Sequence, residues 1–312
     1  MQTRSDTSSI HGVWATVLCR VDASGHVDLG AIDDQVAAYA AAKCDGVYTG
    51  GTASEFHSQS DADFQAMSER LASSARAHGL PFQISAAHAL APGSLTRIAI
   101  AAELKPDAIQ VTLPDWTAID LPTAHRFLER AVHLATGLPL VLYNPPHAKT
   151  VLSPDDLLSL AMAHPALVGL KCGGGEADWY QAMAPVFDRL SVFIPGHHYA
   201  SGTAQGAHGS YSNMACLSPK AAVAWKYMPP ANAASLEVRV GRFLDDAIAP
   251  LLARGLPGFA CDKAMAAAGG WTDISPRLLW PYEGATAEEV SRIRGAARRN
   301  IPEFIEEGHD GR

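Results

Sequence analysis

A run of apolar residues, LVGLKCGGG from Leu167 to Gly175, stops at a lysine and passes into three glycines. An ammonium group at the end of a buried strand loses solvation, which lowers its pKa and makes a neutral amine available near pH 7. A neutral amine attacks carbonyl carbons, and the Schiff base it forms draws electrons from the adjacent carbon. The glycines keep side chains away from the nitrogen of Lys171. A lysine snorkelling from a strand end to water would have the same local sequence. Tyr143 separates the two readings, because it ends the preceding apolar run, LPLVLYN. Neighbouring strands lie roughly 4.8 Å apart, so a phenol at matching height can relay protons to and from the amine. A third group is GTASE, Gly51 to Glu55, which offers Thr52, Ser54 and exposed N–H groups at a strand-to-loop turn. Such a turn can hold a carboxylate.

These residues need a scaffold that brings several strand ends together. Eight short apolar runs are legible: 12–18, 46–51, 81–88, 108–114, 138–144, 167–172, 192–197 and 209–215. Most are near-continuous and not alternating, as in strands covered on both faces, which points to a parallel sheet. Helical stretches separate them. Asp28 is the expected cap of one whose apolar residues are Leu29, Ile32, Val36 and Tyr39, and Ser153 precedes another with Pro at its first turn. Eight strand–helix units predict a (β/α)8 TIM barrel, and no G-x-G-x-x-G pattern follows the first strand to favour a dinucleotide fold. The barrel is assigned to residues 1–227. Pro229 and Pro230 break the pattern, and 228–312 reads as a helical extension packed on the barrel, with its clearest helices in SLEVRVGRFLDDAIAPLLARG and TAEEVSRIRGAARRN.

Composition narrows the partners. A net charge of −8 with no basic cluster argues against nucleic acid. No apolar run reaches the roughly 18–20 residues of a membrane span. The segment MQTRSDTSSIHGVW lacks the apolar core of a secretory signal, so the expected location is the cytoplasm. Cys19, Cys44, Cys172, Cys216 and Cys261 are far apart and are expected to be reduced and packed.

In a TIM barrel the active site lies where the strands end. The polar residues that finish these runs are Thr52 and Ser54, Tyr143 and His147, Lys171, His197 and His198 after Gly196, and Tyr211 and Asn213. His147, His197, Tyr211, Asn213 and Trp116 are expected to shape a pocket for a second substrate. The histidines also admit another class: a metal-dependent hydrolase or lyase using His197, His198 and His208. A third reading, suggested by Ala53 in the turn, is a non-catalytic protein that binds a 2-oxo acid.

Taken together, GTASE after the second run, YNPP after the fifth and a lysine ending the sixth resemble the N-acetylneuraminate lyase and dihydrodipicolinate synthase family of class I aldolases. The resemblance covers Gly12 to about Ser218. It implies a Schiff-base lyase, an aldolase or a dehydratase of 2-keto-3-deoxy sugar acids, acting on pyruvate or another 2-oxo acid. It implies no metal or organic cofactor and a homo-oligomer, a dimer or tetramer. Lys171 would carry the Schiff base and Tyr143 would be the acid/base, with Thr52 completing the catalytic set. Gly51, Thr52 and Ala53 would hold the carboxylate, and Gly196 would line the site through its carbonyl. The family's loop has a hydroxyl residue where this chain has Ala53, and the synthase has an arginine where this chain has Ala148. These departures imply a second substrate other than the synthase's.

Overall fold

The computed structural model describes residues 10–305, so the leader expectation for residues 1–9 lies outside them. Eight parallel strands close into a barrel in chain order: β1 Gly12–Thr16, β2 Gly46–Thr49, β3 Phe82–Ser85, β4 Ala108–Thr112, β5 Leu140–Asn144, β6 Leu167–Cys172, β7 Ser191–Pro195 and β8 Gly209–Tyr211. The last pairs with the first, Trp14 opposite Tyr211. Every expected strand is present, and most end earlier than the apolar runs do because the chain turns over the barrel mouth. The seventh stops at Pro195, before His197, and the eighth at Tyr211, before Asn213.

The helices of the barrel are α1 Gly30–Ala41, α2 Asp61–Ala77, α3 Ala91–Glu103, α4 Leu121–Leu134, α5 Pro154–Ala163, α6 Ala177–Phe187 and α7 Tyr199–Ala204, followed by α8 Met214–Leu217 and α9 Pro219–Lys226. Ser153 opens α5 as expected, accepting the Asp156 N–H while the Asp156 carboxylate returns to the Ser153 N–H. Asp28 acts one residue off the expected cap. Leu29 holds the cap position of α1, while Asp28 Oδ1 accepts the Gly30 N–H at 2.9 Å and Oδ2 pairs with Arg20 at 2.7 Å.

Two packing layers result. The outward faces of the strands pack on the helices in one continuous core that also takes in the C-terminal helices through Leu236, Val240 and Phe243. Inside the barrel, Trp14, Tyr48, Val141, Phe193 and Tyr211 form a separate cluster. Gly46 makes room for it, since a Cβ there would meet the Trp14 ring at 2.4 Å. Two donors of this interior converge on one acceptor: Tyr211 Oη donates to Gln83 Oε1 at 2.6 Å, and Gln110 Nε2 donates to the same oxygen at 3.0 Å, while Gln83 Nε2 and Gln110 Oε1 are buried without a protein partner among the described residues.

The C-terminal part is α10 Pro230–Ala247, α11 Ala249–Ala253, α12 Gly258–Gly269 and α13 Ala287–Asn300. The stretch 235–255, read as one helix, is two. Pro250 has no N–H to continue the ladder, and the chain breaks at Ile248 between α10 and α11. Thr286 opens α13 with a reciprocal Glu289 bond.

Candidate active site

Alternation along β5 and β6 turns Tyr143 and Lys171 to the barrel interior, and the two are direct partners across the sheet. The Lys171 Nζ lies 4.2 Å from the centre of the Tyr143 ring, 4.8 Å from that of Tyr48 and 5.3 Å from that of Tyr211. Its hydrogen bond runs to Tyr48 Oη at 3.3 Å, a different phenol from the one sequence reasoning paired with it. Tyr143 presents its ring face to the amine, and its hydroxyl has Thr52 as its side-chain partner.

Burial brings Lys171 down to about 8, opposed by the carboxyl of Asp262. The three ring faces act in the same direction as that carboxyl, since their quadrupoles favour a cation. Burial pushes Tyr143 up to about 12, with Thr52 offsetting part of the shift. Tyr48 is likewise raised well above the usual phenol value by burial. Both phenols therefore stay protonated near neutral pH and can donate or accept without ionising in the resting site.

Tyr48 is held from behind. Ser54 Oγ donates to Val17 O at 2.6 Å and lies 3.2 Å from Thr16 Oγ1. Because Ser54 spends its proton on a carbonyl, it must accept from Thr16. Thr16 then has a lone pair for the Tyr48 hydroxyl, its side-chain partner. Tyr48 in turn presents its own lone pair to Lys171. The Ser54 hydroxyl, counted among the carboxylate-holding groups from sequence, is thus turned toward β1.

The turn after β2 is short: Thr52–Ser54 form one helical turn closed by Ser54 N–H to Gly51 O and Glu55 N–H to Thr52 O. The N–H groups of Thr52 and Ala53 open the turn and have no partner within it. Glu55, at φ +61°, is fully buried. Its Oε1 accepts from Lys263 Nζ at 2.5 Å and its Oε2 from Leu279 N at 2.6 Å. Both carboxylate oxygens of GTASE are thus committed to structure.

Lys171, Tyr143, Tyr48, Thr52, Ala53, His147, His197, Tyr211 and Asn213 all line one cavity of about 620 Å³ at the mouth. A second cavity of about 550 Å³ shares Thr52, Tyr143, His147 and Phe259 with it. His197 and Asn213 are joined, with Asn213 Oδ1 accepting the His197 N–H and facing Nδ1, each at 3.2 Å. Burial lowers His197 to about 4, so its ring is neutral. Gly51 and Gly196 lie beside the cavity lining and not in it. A Cβ on Gly196 would meet Ser212 Oγ at 2.2 Å, which is why glycine stands there.

Other expected residues are elsewhere. Trp116 is 74% exposed, outside both cavities, with Lys149 Nζ over its ring at 5.2 Å. His198 turns away toward Glu237 at 3.9 Å. His208 precedes β8 whereas His197 follows β7, so parallel strands put them at opposite ends of the barrel; His208 Nδ1 accepts the Val192 N–H at 3.2 Å. The His197, His198 and His208 set therefore does not converge. Among the described residues no three His, Cys, Asp or Glu side chains form a metal-holding group.

Sequence reasoning passed over Tyr48, Thr16, Asp262 and Lys263. Asp262 faces the cavity from α12, and burial raises its carboxyl to about 7, opposed by Lys171. A signal existed: Asp262 and Lys263 are the only charges in GFACDKAMAAAGG, an otherwise apolar helix that must be buried on most sides.

A model of the Dihydrodipicolinate synthetase family matches residues 9–228. The 4-hydroxy-tetrahydrodipicolinate synthase of Pseudoalteromonas atlantica is 40% identical over 95 residues, a match spanning 29% of this chain and 31% of that enzyme. Among solved structures, a prophage protein of the dihydrodipicolinic acid synthase family from E. coli K12, in complex with pyruvate, superposes with a TM-score of 0.83 at 18% identity, covering 94% of this chain and 99% of that one. The sialic acid aldolase of Ruminococcus gnavus gives 0.80 at 17%, covering 95% and 99%. The dihydrodipicolinate synthase of Bacteroides thetaiotaomicron gives 0.78 at 21%, covering 93% and 98%. At these identities the structural likeness establishes the fold.

Proposed function

Because this chain belongs to the dihydrodipicolinate synthetase family, we propose that it is a lyase that joins pyruvate or another 2-oxo acid to Lys171 as a Schiff base. The observation that carries this reading is the amine itself, at the end of β6 inside a walled cavity, held by burial at about 8. The amine attacks the 2-oxo carbon, and loss of water from the carbinolamine gives the protonated imine. Tyr48 accepts an N–H of Lys171, which leaves the nitrogen lone pair of the neutral amine directed elsewhere, toward the incoming carbonyl. Tyr143 supplies the proton that the departing hydroxyl needs. The Thr52 and Ala53 N–H groups receive the carboxylate.

The imine draws electrons from C3, so a bond from C3 to C4 can form or break there. Dehydration of a sugar acid begins from the same intermediate. The E. coli relative was crystallised with pyruvate, and a catalytic-lysine mutant of the R. gnavus aldolase has been solved, which support the assignment. The protein also self-associates on this reading, which the exposed rings of Trp116, Trp280 and Tyr282 support. No helix among the described residues is long and apolar enough to cross a membrane. Incubation with pyruvate and borohydride, followed by intact mass, tests the reading: a gain of one reduced pyruvate per chain is expected, and an unchanged mass with pyruvate and larger 2-oxo acids would overturn it.

A further inference from the structure

One wall of the cavity is built by the C-terminal helices, of which α12 packs against the turn carrying Thr52 and Ala53. There α10, α11, α12 and the Ile248 break between the first two supply Leu244, Ile248, Leu252, Phe259 and Met265, with Asp262 among them. Apart from Lys171, the formally charged side chains of the lining are two carboxyls, Asp245 and Asp262; no arginine lines it. A substrate whose distal end carried a carboxylate or phosphate would meet like charge and apolar wall, with no guanidinium to offset either.

Asp262 itself makes no hydrogen bond to protein among the described residues. It lines the same cavity as Lys171, Tyr48, Tyr143 and Cys216, and its charge is felt at each of them. A carboxyl set in an apolar wall without a partner is costly, and the scaffold gives it no escape. The next residue, Lys263, is locked to Glu55 in a fully buried ion pair, and Glu55 also holds the Leu279 N–H. The helix carrying Asp262 is thereby pinned to the loop carrying Thr52 and Ala53.

Resting on the Schiff-base reading, we propose that Asp262 is a second acid/base residue of this site and that the substrate is a 4-hydroxy-2-oxo acid with an uncharged, mainly apolar distal group. In the cleavage direction the Asp262 carboxylate takes the proton of the C4 hydroxyl of the Lys171 imine. The C3–C4 electron pair moves to C3 and into the imine, forming the enamine, as C4 leaves as an aldehyde. Tyr143 returns a proton to C3, water hydrolyses the imine, and pyruvate departs. Asp262 gives its proton to solvent, which reprotonates Tyr143, so no other reactant is needed.

The test is condensation of pyruvate with hexanal, benzaldehyde and glyoxylate by wild type and Asp262→Asn, with borohydride trapping of pyruvate in parallel. Wild type should favour hexanal and benzaldehyde over glyoxylate by on the order of tenfold or more in kcat/KM. Asp262→Asn should trap pyruvate as fully as wild type, which also shows an intact site, yet lose on the order of a hundredfold in kcat with little change in KM. In Asp262→Ala, added formate should restore part of the rate. Preference for glyoxylate, or an undiminished kcat in Asp262→Asn, would overturn this inference alone. Absence of any adduct in wild type would overturn the Schiff-base reading and this inference with it.

Discussion

Lys171 directs its hydrogen bond to Tyr48, 3.3 Å away on β2, and not to Tyr143, its neighbour across the sheet. The two phenols therefore have different work. Tyr48 fixes where the nitrogen sits and which way its lone pair points, whereas Tyr143, hydroxyl toward Thr52, is placed to serve the substrate. Replacing Tyr48 by Phe removes an acceptor for the ammonium form. A hydrogen bond to a charged group contributes about 1.5–3 kcal/mol, so the Lys171 limb of the pH–rate profile should move down by about one to two pH units, and the plateau of kcat should fall. A residue that merely filled space would leave the limb where it is.

Tyr143→Phe should behave otherwise. Loss of an acid/base group costs about 10²–10⁴ in rate. The expected result is slow imine formation, measured by timed borohydride quenching, with the Lys171 limb retained.

The pH dependence has a defined sign. Only the neutral amine attacks, and burial lowers Lys171 from 10.5 to about 8. At pH 7 roughly a tenth of the amine is neutral, against roughly one part in three thousand for an unperturbed lysine. The rate of imine formation with pyruvate should therefore rise about tenfold per pH unit below pH 7 and level off above about 8. A profile already flat at pH 6, or still climbing at pH 10, would contradict this.

The Glu55–Lys263 pair is a stability element. Removing one partner leaves an uncompensated charge in a fully buried site, at a cost of about 3–5 kcal/mol. Lys263→Met should lower the midpoint of denaturant unfolding accordingly. The double variant Glu55→Gln with Lys263→Met should be more stable than Lys263→Met alone, because no charge is then stranded.

The barrel was legible because strands covered on both faces write themselves as continuous apolar runs, and eight of them stand in the sequence. Lys171 and Tyr143 were legible because each is a polar residue ending such a run. Tyr48 was not: it lies inside a run, where a tyrosine reads as core, and only closure of the barrel brings β2 opposite β6. Asp262 is some ninety residues from Lys171 in the chain, and its approach depends on how α12 folds over the mouth. Histidine illustrates the opposite error. His197 and His208 are close in sequence, yet one follows a strand and the other precedes the next, so the length of the barrel separates them.

Peptide mapping of the pyruvate adduct after borohydride reduction tests the central claim most directly. The reduced adduct should fall on the peptide containing Lys171 and be lost in Lys171→Arg. An adduct on Lys263 or a surface lysine, or an undiminished adduct in Lys171→Arg, would contradict it.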